Sequence, residues 1–190
     1  MTLGHGRRTV AYMGLAALTI SFAWQPSAVA RAMSRSPVRL LGNAVGGVRF
    51  GTSQSAAIDD LTTLFGSLKT TDFNAIDWCG LTAQSTRFDV LFNFERGKFV
   101  GYELGNASGK TASQPNVVTA AGLRLGGTIA QAEKIYGGRF ITSAAQGGSW
   151  KVQTPTGEMV GLLVGPPMSG STDQVDVIGA GYFGCPAMAP

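Results

Sequence analysis

The clearest pattern is the alternation over residues 88–94. Phe88, Val90, Phe92 and Phe94 share one side, and Asp89, Leu91 and Asn93 share the other. A period of two places successive side chains on opposite faces of a strand. Glu95-Arg96-Gly97 then reads as a turn, and 98–104 pairs back as a hairpin. Shorter strand signals fall at 76–79, 138–141, 150–153, 159–164 and 175–180. Two stretches instead carry helical spacing. Ala57, Ile58, Leu61, Leu64 and Phe65 form one apolar stripe, and Ala132, Ile135 and Tyr136 form a second about one turn shorter. Gly66 and Gly137 are suited to stop these helices. Thr52 or Ser53 can cap the first, and Thr128 with Gln131 spells a capping box for the second.

Both helices are approached through the same phrase. Gly47-Val48-Arg49-Phe50-Gly51-Thr52 precedes the first, and Gly122-Leu123-Arg124-Leu125-Gly126-Gly127-Thr128 precedes the second. In each phrase two apolar side chains flank an arginine that can stay in water, and a glycine permits the sharp turn toward the helix. The fold class predicted is therefore α+β: two tandem helix-plus-antiparallel-strand repeats forming a sheet with helices packed on one face. The units are expected at 45–112 and 119–190, making a single domain over 45–190. The polar, Gly-bearing stretch 105–116 would connect them. Residues 31–44, basic and without period, read as a flexible leader, with order beginning at Ala44.

The paired phrases Val48-Arg49-Phe50-Gly51-Thr52 with Phe65-Gly66, and Leu123-Arg124-Leu125-Gly126 with Tyr136-Gly137, resemble those of the beta-lactamase-inhibitor-protein-like fold and its relatives among secreted actinobacterial proteins. The likeness runs in short phrases over most of 45–183. It implies a tandem-repeat fold used for protein recognition, in which a concave sheet grips a loop of the partner. The methionine of the family phrase is missing here. Inhibitor members also carry a disulfide in each repeat, whereas this chain has two cysteines in all, so no inhibitory contact residues carry over.

Export is the next expectation. Arg7 and Arg8 precede an uncharged stretch from 9 to 24, Pro26 breaks it, and Ala28-Val29-Ala30 offers a small-x-small cleavage pattern. Residues 1–30 thus read as a signal peptide, placing the mature chain outside the cytoplasm, secreted or in the cell envelope, with no stable membrane anchor after cleavage. The chain has 190 residues with Lys+Arg 15 and Asp+Glu 11. Losing Arg7 and Arg8 lowers the excess of basic residues, and no basic stripe of the kind that tracks nucleic acid remains. The only histidine, His5, also leaves with the signal. Histidine-based nucleophilic triads and His-ligated zinc are then excluded from the mature chain. No cofactor and no metal site are expected. Cys79 and Cys185, in an oxidising compartment, read as a single structural disulfide closing a long loop.

Little catalytic chemistry is left. Gly105-Asn106-Ala107-Ser108-Gly109-Lys110-Thr111 resembles a phosphate loop, but three residues separate its glycines where four are needed. Asp59-Asp60 within the first helix, and Asp173 and Asp176 at a loop-strand junction, are the carboxylates a histidine-free hydrolase could use, and each reads better as solvated surface. Trp78 and Tyr102 have the parity of the core. The opposite parity gathers Asp89, Leu91, Asn93, Phe99, Glu103, Lys151 and Gln153 into an open sheet face. Apolar anchors within a polar rim characterise recognition surfaces, so Leu91, Phe99 and Lys151 are the candidate binding residues. The function expected is a secreted, non-enzymatic binding module for an envelope or extracellular protein, with an inhibitor-like use implied by the resemblance. The alternatives are a carboxylate hydrolase and a lipid or wall-polymer carrier with a continuous apolar cavity.

Overall fold

A computed structural model describes residues 36–72, 80–105, 116–143, 148–164 and 173–182. Strands predominate and two helices accompany them, an α+β chain. The first strands are short: β1 (Val38–Leu41), β2 (Ala44–Val45) and β3 (Val48–Arg49). Helix α1 (Gln54–Phe65) follows, then β4 (Leu68–Asp72), β5 (Leu81–Ser85), β6 (Val90–Glu95) and β7 (Lys98–Gly105). The second half holds β8 (Val117–Thr119), α2 (Ile129–Tyr136), a 3-10 turn at Gly137–Arg139 and β9 (Phe140–Ser143). It ends with β10 (Ser149–Thr154), β11 (Gly157–Val164), β12 (Gln174–Val175) and β13 (Val177–Gly181).

The large sheet runs β4-β5-β6-β7-β13-β11-β10-β9, with β12 paired to β11 off this path. Every neighbouring pair along it is antiparallel. The two halves of the chain therefore meet in the middle, where β7 and β13 pair from Val177↔Gly105 to Gly181↔Gly101. A smaller sheet, β3-β2-β1-β8, contains a parallel pair, β1 with β8.

One face of the large sheet carries the core. Register aligns Phe92, Tyr102, Ala180, Met159, Val152 and Phe140 across successive strands, and all are buried. Both helices turn their apolar sides toward this face. Ala57, Leu61 and Phe65 of α1 are buried, and the Phe65 ring lies 5.3 Å from that of Phe92. From α2, Ala132 and Tyr136 are buried, and Tyr136 lines a cleft with Met159. The helix ends follow their sequence signals. Thr128 accepts from the Gln131 backbone N–H while the Gln131 side chain accepts from the Thr128 N–H, the full capping box. Ser53 caps α1 by position alone, with no side-chain hydrogen bond.

Each helix starts from a backbone clasp to a strand that follows it. Before α1, Gly51 N–H donates to Phe99 O, Phe99 N–H to Thr52 O and Gln54 N–H to Gly97 O. Before α2, Gly126 N–H donates to Val175 O, Val175 N–H to Gly127 O and Ile129 N–H to Asp173 O. Gly51 and Gly126 both take positive φ, 89° and 75°, which L side chains rarely adopt.

One expectation is corrected here. Order begins before Ala44, because β1 lies inside the stretch read as a leader and its Leu40 is fully buried. Its apolar residues are flanked by arginines, and pairing with distant β8 is what fixes it. Strands β4, β5 and β8 were not anticipated either. The expected strand at 76–79, the signal peptide, most of the connector and both cysteines lie outside the described residues. Among the described residues, no helix is long and apolar enough to cross a membrane.

Candidate binding face

The other face of the large sheet is the candidate site. In an antiparallel ladder, directly opposed residues point to the same side. Following the pairs from one edge to the other gives a single transverse row: Ile141, Lys151, Val160, Gly179, Glu103, Leu91, Gln84 and Lys69. Of the three candidate residues, Leu91 and Lys151 thus share one face and one row. They stand four strand steps apart, roughly 19 Å at about 4.8 Å per strand.

The row differs along its length. At the ends Ile141, Lys151, Gln84 and Lys69 are exposed. Ile141, at 51 %, is the one exposed large hydrophobic among the described residues, and it sits directly opposite Lys151. The middle is closed: Leu91 is 8 % exposed, and its neighbour on the same face, Asn93, is 2 % exposed. Leu91 therefore belongs to the floor of the face rather than to its open rim.

Phe99 is not on this face. It is fully buried in the core, with its ring 5.2 Å from Phe50 and 5.6 Å from Phe94. The reason is an irregularity in the β6–β7 ladder. Asn93 opposes Gly101, yet Phe94 opposes Phe99, so β7 carries one extra residue at Val100. A β-bulge of this kind reverses the alternation beyond it, and Phe99 turns inward.

Electrostatically the middle of the face is rich in acceptors. Burial, and then the nearby Asp89 carboxylate, push the Glu103 carboxyl above its ordinary value. Asp176 is raised by the same two causes in the same order. The Asn93 amide N–H donates to Tyr182 O at 2.9 Å, while its buried Oδ1 has no partner among the described residues. Glycines at 101 and 181 let neighbouring backbone pack closely: a Cβ on Gly101 would run into Tyr182 O, and one on Gly181 into Val100 O. Ile141 is the contributor that sequence reading missed. A strand signal at 138–141 covered it, but the face it shows is set by its pairing with Lys151.

The remaining carboxylates are scattered. Asp59 and Asp60 are exposed on α1, and Asp173 is 7 % exposed at the start of β12. Two cavities, one beside Met159 and one beside Leu123, are lined by no carboxylate. Among the described residues, no group of three His, Cys, Asp or Glu side chains is placed to hold a metal ion. Compared with known family models, curated proteins and solved structures, the chain matches none.

Proposed function

We propose that this chain is an exported, non-catalytic binding module that recognises a protein of the envelope or the extracellular medium through the outer face of its large sheet. In this reading the chain is closed by a Cys79–Cys185 disulfide and built from two tandem copies of one helix-plus-strands unit. The duplication is supported by the matching clasps, in which Gly51 and Gly126 play the same part about seventy-five residues apart, as do Phe99 and Val175. The strand order supports it too. β4 to β7 run inward from one edge after α1, and β9, β10, β11 and β13 run inward from the other after α2.

The observation that carries the functional reading is the transverse row. It assembles an apolar and cationic end at Ile141 and Lys151 beside an acceptor-rich middle around Glu103. Such a surface suits a partner that seats an apolar contact and a neighbouring acidic group on the open end at Ile141 and Lys151. Hydrolysis is less well supported. Asp89, Glu103 and Asp176 do influence one another, yet they act on a sheet surface and line neither cavity.

Immobilised protein exposed to culture filtrate tests the proposal. The expected result is retention of one protein by the parent chain, with strong loss in Lys151→Glu and in Ile141→Asp. Circular dichroism of both variants should stay unchanged, since both side chains are exposed. Equal retention by the variants, or retention of only a glycan or small molecule, would overturn it.

A further inference from the structure

On the opposite side of the sheet, away from Lys151 and Ile141, lies a cavity of about 270 Å³. Its walls come from the end of β1 (Leu40, Leu41), the loop after β8 (Ala121), Tyr136 at the end of α2, Arg139 in the turn after it, and Met159 of β11, with the β10–β11 turn closing one side. The wall is apolar because its polar groups are already engaged. Tyr136 donates its hydroxyl to Thr119 Oγ1 at 2.7 Å, and Thr154 donates to Gly157 O at 2.7 Å. Thr156 Oγ1 accepts from Gly42 N–H, and the Leu41 carbonyl accepts from the Tyr102 hydroxyl.

Arg139 is the exception. It is the single charged residue lining the cavity, and its Nε donates to Tyr136 O at 3.2 Å. Arg139 is exposed, and among the described residues no carboxylate lies within ion-pair distance of it, so its guanidinium stands at the solvent rim of the well. An apolar well gives water few partners, and a guanidinium at its wall favours a planar anion that it can grip with two parallel bonds.

We propose that this cavity binds a small carboxylate with an apolar tail, a medium-chain fatty acid. The tail lies against Leu40, Ala121 and Met159, and the carboxylate meets Arg139. The volume sets the size. At about 30 Å³ for each water-sized group, the cavity holds roughly nine such groups, room for the apolar tail of an eight-carbon acid with its carboxylate left at the rim. A diacyl lipid or a wall polymer is too large. This site is separate from the outer face, so either reading can fail without the other.

The test is calorimetric titration of the intact chain with octanoate at neutral pH, with octan-1-ol as the uncharged probe. Octanoate should bind saturably with a Kd below about 1 mM. Arg139→Gln should weaken octanoate about ten-fold and leave octanol unchanged. Ala121→Trp, which fills the well from an exposed loop position, should remove both. Absence of saturable octanoate binding overturns the proposal. So does octanoate binding that survives Arg139→Gln at full strength, or an equal loss of octanoate and octanol in that variant.

Discussion

Glu103 shows how a single side chain on the sheet can set a pH response. Its carboxyl is raised first by burial and then by Asp89. The folded chain therefore keeps a proton there at pH values where the unfolded chain, with an ordinary glutamate near about 4.3, has released it. Between those two values the native state binds more protons, so stability falls as pH rises through the window. Asp176 acts in the same direction. Glu103→Gln, which cannot ionise, should raise the thermal midpoint at pH 7 and have little effect near pH 4. Thermal unfolding at the two pH values decides it, and an equal shift at both would refute the linkage. Lys151 and Leu91 shared a face by parity alone, and that much was legible. Phe99 was not, because a single extra residue at Val100 reverses every alternation beyond it.

Among the elements, the two helices differ most at their starts. The α2 capping box satisfies two orphan N–H groups, whereas Ser53 satisfies none with its side chain. Thr128→Ala should therefore destabilise the chain by about 1 kcal/mol, and Ser53→Ala by a few tenths at most. Chemical denaturation of the pair measures the difference, and equal costs would contradict the cap geometry. Helices, caps and the hairpins β6–β7 and β10–β11 could be read from sequence because their signals are local. β1 and β8 could not, since a parallel pair between residues so far apart leaves no local trace. β4, Thr-rich and largely exposed, and β5, with small and polar residues on both faces, alternate too weakly to stand out. The separation of Lys151 from Leu91 was equally hidden, because β13 and β11 enter between their strands out of chain order.

For the molecule as a whole, the seam between β7 and β13 is where the two halves of the chain exchange main-chain hydrogen bonds. A half produced alone would leave that edge open and bare core residues such as Tyr102 and Ile178. Two polypeptides spanning 31–110 and 111–190 should each fail to fold alone. Mixed, they should recover the circular dichroism spectrum of the intact chain, with a midpoint that rises with concentration. Autonomous folding of either piece would show that the seam is dispensable.

The β1–β2 turn touches the β10–β11 turn with almost nothing between them. A Cβ built on Gly42 would fall 2.5 Å from the carbonyl carbon of Gly157, and one on Gly157 would fall 3.0 Å from the carbonyl oxygen of Gly42. Surface hairpin tips are where an engineer would ordinarily splice in an epitope or a fluorescent label. These two tips are welded back to back, so cargo grafted at either one would pry the small sheet from the large, and the open rim at Lys151 would be no guide to that damage.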